Sequence, residues 1–128
     1  MKYLCVLFLL FAPVFTLLLV FATGTAIAGE ADVIAVEVTP TGKQTDRFDV
    51  TVRHDDSSWE HYANSWEILA PDGSILATRV LAHPHINEQP FTRSLSGVKI
   101  PAGTNQVKIR AHDSVHAFGG ETMVVDLN

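Results

Sequence analysis

The chain has 128 residues, of which 9 are basic and 14 are acidic, and its formal net charge at pH 7 is −5. Its basic residues form no block or stripe, which argues against nucleic acid or anionic lipid as a partner. Its one cysteine, Cys5, lies in an apolar N-terminal stretch, so the sequence excludes disulfides and thiolate chemistry from the rest of the chain.

Residues 1–28 have the features of an export signal. An almost wholly apolar stretch covers residues 3–22, and Ala26-Ile27-Ala28 supplies the small residues that signal peptidase accepts. We therefore predict cleavage after Ala28 and a single periplasmic or secreted domain over residues 29–128. The apolar stretch is also close to the roughly 20 residues that span a bilayer, so an uncleaved membrane anchor is the alternative. Cys5 has no lipobox around it, so the sequence does not predict a lipoprotein.

Short alternating segments rich in β-branched residues run through residues 29–128 and predict an all-β fold. Phe48, Val50 and Val52 give the clearest inward phase, and Gly97 is predicted to mark a β-bulge. We predict seven strands, at residues 33–39, 47–54, 61–70, 75–82, 91–100, 106–112 and 122–127. Their number and spacing are typical of a seven-stranded antiparallel immunoglobulin-like or fibronectin-like sandwich.

Two kinds of connection join the predicted strands. Three are compact turns rich in Pro and Gly, without His or aromatic residues, at residues 40–42, 71–74 and 101–104. The other three are longer, at residues 55–60, 83–90 and 113–121. Because alternate connections between consecutive antiparallel strands lie at the same end, we expect the three long loops to share one end of the sandwich.

All six histidines lie in or beside the three long loops. Imidazole is a common ligand of Zn, Cu and Fe, and a neighbouring carboxylate can bind the same ion or orient an imidazole. Pro84 holds His83-Pro84-His85 extended, so we expect the two imidazoles to diverge and only one of them to point at a shared site. His112 follows the outward phase of its strand and Asp113 the inward phase. The predicted ligands of a divalent transition metal (iron, copper or zinc) are His54, His61, His83, His85, Asp113 and His116.

The same loops are compatible with functions that need no metal. Hydrogen bonds alone can hold a polar cluster, and the loops of sandwich domains commonly form binding surfaces. The alternative function is therefore a metal-free extracytoplasmic interaction module, and a pH sensor is a third interpretation because histidines gain protons near a pH of about 6. Trp66 is predicted to lie in the core, whereas Trp59, Tyr62 and Phe118 either cap the core or wall a site. A metal-binding domain of this kind could be a carrier or an enzyme, and a periplasmic partner protein is compatible with both.

Two segments resemble parts of the superoxide reductases, the desulfoferrodoxin and neelaredoxin group. His54…Glu60-His61-Tyr62…Trp66-Glu67-Ile68-Leu69 is similar to the stretch around two iron-ligating histidines of that family. Arg110-Ala111-His112-Asp113-Ser114-Val115-His116-Ala117-Phe118 is similar to its Cys-Asn-x-His-Gly segment. The family has an immunoglobulin-like sandwich with a non-haem iron held by four histidines and an axial cysteine. The resemblance therefore implies that His54, His61 and His116 are equatorial ligands.

The chain departs from that family at the metal ligands themselves. Asp113 stands where the family has its axial cysteine, and the family's early Lys-His-x-Pro segment has no counterpart before His54. One additional residue separates His54 from His61, and Trp66 is displaced by one position. The resemblance therefore implies a related fold with a remodelled site, in which His83 or His85 replaces the missing histidine. It does not imply superoxide reduction.

Overall fold

A computed structural model describes residues 29–127, so the predicted signal over residues 1–28 lies outside the described residues. Two antiparallel sheets form a sandwich, with strand order β1-β2-β5 in one sheet and β4-β3-β6-β7 in the other. The strands are β1 (Asp32–Gly42), β2 (Thr45–Arg53), β3 (Ala63–Leu69), β4 (Ile75–Val80), β5 (Phe91–Lys99), β6 (Gln106–Asp113) and β7 (Met123–Asp126). The predicted seven-stranded all-β fold is confirmed. Within residues 29–127, no helix has the length and apolar character needed to cross a membrane.

The core lies between the two sheets and follows the alternation of the strands. Phe48, Val50 and Val52 of β2 are fully buried, and so is Trp66 of β3, as predicted. In β6 every second residue from Val107 onward also faces inward, because successive side chains of a strand point to opposite faces. Among residues 29–127, every member of the buried cluster lies within residues 31–111, and the strands of both sheets run from Asp32 to Asp126.

The inward phase of two strands continues beyond their last apolar residue. One step past Val52, the next inward position is His54, which is 3% exposed. One step past Ala111, the next inward position in β6 is Asp113, which is 0% exposed. The two sheets thus each contribute one buried polar side chain at the same end of the core.

The first hairpin differs from the prediction. Residues 40–42 are the end of β1, not a turn: Pro40 pairs with Asp46 and Gly42 with Thr45, which leaves a connection of two residues. β1 is an edge strand, where a proline without an N–H costs no ladder bond on the open side. The bulge predicted at Gly97 is confirmed, since the β2–β5 register shifts there and Gly97 has φ +65°.

Hydrogen bonds between loops confirm that the two kinds of connection lie at opposite ends. At the end with the short turns, the Ile100 N–H donates to the carbonyl of Gln44 at 2.8 Å. At the other end, the Ser114 N–H donates to the carbonyl of Tyr62 at 3.0 Å. The His85 N–H of the remaining long loop donates to Asp56 Oδ2 at 2.7 Å. The three long loops therefore converge on one surface.

Candidate metal centre

Two buried residues from different sheets meet where the long loops converge. His54 Nε2 lies 2.5 Å from Asp113 Oδ2, and both side chains are fully buried. His54 directly follows β2, and Asp113 ends β6. Because each side chain continues the inward phase of its strand, the sandwich itself brings the two together.

Two further imidazoles complete the group from its solvent side. His61 Nε2 lies 2.8 Å from Asp113 Oδ2, and His116 Nδ1 lies 3.4 Å from the same oxygen. His61 is held by a tight turn in which its N–H donates to the carbonyl of Ser58 at 3.1 Å. β3 consequently begins at Ala63 and not at the predicted residue 61. We call His54, His61, Asp113 and His116 the histidine–aspartate cluster.

The Asp113 carboxylate is oriented by the turn that follows it. Its Oδ1 accepts the backbone N–H groups of Val115 at 2.5 Å and His116 at 2.8 Å. Burial alone would raise the pKa of Asp113. The two N–H donors, together with His61 and His116, lower this pKa by more than burial raises it, so it lies well below its usual range. The carboxylate is therefore charged, and its Oδ2 is left to face the three imidazoles.

The second nitrogen of His54 is held by another buried carboxylate. His54 Nδ1 lies 2.5 Å from Asp56 Oδ1, which also accepts the Ala63 N–H at 3.0 Å. Asp56 Oδ2 accepts the His85 N–H, so both oxygens are engaged. Burial raises the pKa of Asp56, but the bonds from His54, His85 and Ala63 outweigh this and lower it. A carboxylate on the distal nitrogen of an imidazole is the arrangement that fixes the tautomer of metal-ligating histidines.

His54 is surrounded by more acceptors than a neutral imidazole can serve. Asp56 Oδ1 faces Nδ1, while Asp113 Oδ2 and the Gly29 carbonyl, at 2.9 Å, both face Nε2. A neutral ring carries only one N–H, which leaves the other nitrogen as an acceptor facing oxygen. Burial lowers the pKa of His54, but hydrogen bonds to Asp56 and Asp113 raise it above its ordinary value of 6.5. Nε2 therefore faces its oxygens either through a second proton or through a bound cation.

The spacing of the donor atoms fits a transition metal. One ligand atom each from His54, His61 and Asp113 lies within 4.8 Å of the others. Bonds of about 2.0–2.2 Å to a four-coordinate ion place neighbouring ligand atoms roughly 3.4 Å apart, so small side-chain movements would open the group to an ion. Imidazole with carboxylate suits Zn, Cu and Fe, and the described residues contain no cysteine.

Two of the six predicted ligands lie outside this group. His83 is exposed and its Nδ1 contacts the carbonyl of Pro84 at 3.0 Å. His85 is 4% exposed and stacks on Phe91 with ring centroids 3.9 Å apart, and its ring nitrogens have no hydrogen-bond partner within residues 29–127. Its pKa is lowered by burial and by the positive charge of Arg93, both of which disfavour the charged ring. The expectation that the two rings diverge is wrong: their centroids are 4.6 Å apart.

The other residues singled out in the sequence lie around the cluster. His112 faces outward, as predicted, with Nδ1 2.5 Å from Asn64 Oδ1. Trp59 is 67% exposed and packs edge-on against Tyr62, while the guanidinium of Arg110 lies 3.7 Å over the Phe118 ring. These aromatic side chains wall the loop end and lie outside the buried core cluster.

Comparison with known proteins shows what this chain is similar to. A protein of Halomicrobium mukohataei named “Putative lipoprotein” is 40% identical to this chain over 97 residues, which is 76% of this chain and 47% of that protein. The chain thus spans about half the length of the relative it matches. No family model matches the chain, and no solved structure matches it.

Proposed function

We propose that this protein is an extracytoplasmic metal-binding β-sandwich protein. In this proposal, His54, His61, His116 and Asp113 hold a divalent transition metal, with Asp56 orienting His54. The observation that carries the proposal is the buried His54 ring, whose two nitrogens face three oxygen acceptors. The bound ion would supply a Lewis acid, or a redox centre if it is iron or copper. The apolar N-terminal stretch and the name of the relative support a location outside the cytoplasm.

The resemblance to superoxide reductases supports the same ligand set. The three histidines that it singles out lie around one oxygen of Asp113, the residue at the position of the family's axial cysteine. We propose a relationship to that fold in which a carboxylate replaces the thiolate. A hard oxygen donor in place of a soft sulfur changes both the metal preference and the electronic character of the bound ion.

Metal titration of residues 29–128 tests the proposal. We expect the wild-type protein to retain roughly one Zn(II), Cu(II) or Fe(II) per chain and to gain thermal stability on binding. His61→Ala should lower the affinity at least about tenfold, because even the loss of an outer partner costs about 10–100-fold. His83→Ala is the matched control, since this exposed histidine lies outside the cluster, and it should bind like wild type. No retention of any of the three metals by the wild-type protein would refute the proposal.

The alternative function, a metal-free interaction module, is favoured by the apolar surface of the same loops. Trp59, Ile86 and Val115 are each more than half exposed, and they lie on the three different long loops. Protons on the three facing nitrogens would also let Asp113 hold the cluster without an ion. A module of this kind would bind none of the three metals, and its melting temperature would not change in their presence. Turnover of superoxide or peroxide by the metal-loaded protein would distinguish an enzyme from a carrier.

A further inference from the structure

The first described residue lies against the histidine–aspartate cluster. The Gly29 carbonyl oxygen is 2.9 Å from His54 Nε2, the same nitrogen that faces Asp113 Oδ2. Cleavage after Ala28, as the sequence predicts, would make Gly29 the N-terminal residue of the exported protein. Gly29 has no side chain that could bind an ion, so only its backbone atoms can contribute to the site.

Hydrogen bonds to the last long loop hold this N-terminal segment in place. Asp32 Oδ1 accepts the Glu121 N–H at 2.8 Å, and the Val33 N–H donates to the Glu121 carbonyl at 2.9 Å. Gly120 lies so close to the Ala31 carbonyl that a side-chain carbon at position 120 would overlap that oxygen. Ala31 itself is buried in the core. The position of Gly29 at the cluster therefore follows from the packing of the fold.

We propose that Gly29 completes the metal site as an N-terminal chelate, and that removal of the leader creates this ligand. The inference rests on the proposed function and adds a ligand to it. Hydrolysis of the Ala28–Gly29 peptide bond takes up one water, leaving a carboxylate on Ala28 and an α-amine on Gly29. The amine, with an ordinary pKa of about 7.7–8.0, offers a nitrogen lone pair near neutral pH, whereas an amide lone pair is delocalised into the peptide bond. Because the amine nitrogen and the carbonyl oxygen belong to one glycine, both can bind one ion and close a small chelate ring.

The site therefore becomes complete only after export. A precursor that still carries its leader presents an amide at residue 29, and it holds metal through the side chains of the cluster alone. The mature chain adds the amine to the same group. Processing thus separates a weakly binding precursor from a tightly binding mature protein.

Three forms of the domain that differ only at the N-terminus test this inference. One begins at Gly29 with a free amine, one begins at Gly29 with an acetylated amine, and one retains Ala28. We expect the free-amine form to bind Zn(II) about 10–100-fold more tightly than the other two, measured by competition with a chromophoric chelator near neutral pH. Equal urea-unfolding curves of the three metal-free forms would show that the difference does not arise from folding.

The outcomes separate this inference from the proposed function. Equal Zn(II) affinity in all three forms would overturn the chelate and leave the side-chain site standing. Absence of Zn(II), Cu(II) and Fe(II) binding in every form would overturn both. Mass spectrometry of the protein exported by a host that expresses the full chain should give a mass beginning at Gly29, and a retained leader would also overturn the inference.

Discussion

Substitution of Asp56 by Asn removes the carboxylate that holds His54 while keeping the shape of the side chain. Asp56 is buried and accepts bonds from His54 Nδ1 and the N–H groups of Ala63 and His85. An amide has one acceptor oxygen in place of two. In either orientation of the new side chain, its NH₂ group meets at least one buried N–H donor that has lost its acceptor.

The expected loss of stability follows from these contacts. A buried donor without a partner costs about 1–3 kcal/mol, and a hydrogen bond to a charged group contributes about 1.5–3 kcal/mol, of which a neutral amide would recover part. We therefore expect Asp56→Asn to lower the free energy of unfolding of the metal-free protein by about 2–4 kcal/mol. For a domain of about 100 residues, 1 kcal/mol shifts the melting temperature by about 4–8 °C, so the expected decrease is on the order of 10–25 °C.

Urea denaturation in the presence of a chelator measures this loss, and Asp55→Asn is the matched control. Asp55 is the exposed neighbour, so the same change of charge there should stay within about 0.5 kcal/mol of wild type. Metal affinity, measured where both variants are folded, should fall about 10–100-fold for Asp56→Asn alone. The reasoning would be refuted if Asp56→Asn unfolded like Asp55→Asn. Loss of stability with unchanged metal affinity would limit Asp56 to a structural role.

Three further predictions concern pH, a buried ring and a glycine. The pKa of His54 is raised in the folded metal-free protein, so its contribution to stability is complete below the unfolded pKa of about 6.5 and is lost as the pH rises through the folded pKa. Over the same rise in pH, the metal affinity should increase because Nε2 loses its proton. Urea denaturation across this range should show the decline in stability, and a curve that does not change with pH would contradict it. His85→Phe removes two buried nitrogens that have no hydrogen-bond partner and retains the stacking on Phe91. The free energy of unfolding should therefore stay constant or rise by about 1 kcal/mol. Zn(II) affinity should not change, and a lower affinity would show that His85 is a ligand. Gly120→Ala displaces the backbone at Ala31, because the added side-chain carbon would overlap the Ala31 carbonyl oxygen. We expect the substitution to weaken Zn(II) binding by the free-amine form and to leave binding by the acetylated form unaffected. Competition titration of both forms would measure this difference.

Alternation along the strands predicts most of the fold and the two central residues of the candidate site. The inward phase of Phe48, Val50 and Val52 extends by one further step to His54, and the phase of β6 extends in the same way to Asp113. A polar side chain at the end of an inward phase is buried by the sheet geometry and must find a partner there. The grouping of the long loops at one end follows equally from the antiparallel order of the strands.

The contacts that loop side chains make could not be predicted from the sequence. Asp55 and Asp56 are identical in chemistry, and only the course of the chain decides that Asp56 turns inward while Asp55 faces solvent. The sequence predicts His83 and His85 as ligands because they are histidines in a long loop. In the structure, the His85 ring stacks on Phe91 and His83 lies at the surface. Loop side chains have no strand phase to fix their direction, so a count of histidines could not show which of them lie around Asp113.

The position of the cluster between the two sheets gives a physical reason to expect a cation there. His54 directly follows β2 of the β1-β2-β5 sheet, and Asp113 ends β6 of the other sheet, so the contact between them joins the halves of the sandwich. Two buried carboxylates, Asp56 and Asp113, outnumber the single proton that His54 can add, and the site carries a net negative charge when His61 and His116 are neutral. Uncompensated buried charge is costly in a medium of low dielectric constant. A divalent ion that replaces the proton on His54 Nε2 would cancel that negative charge and would link the sheets through coordinate bonds at the point where the apolar core ends.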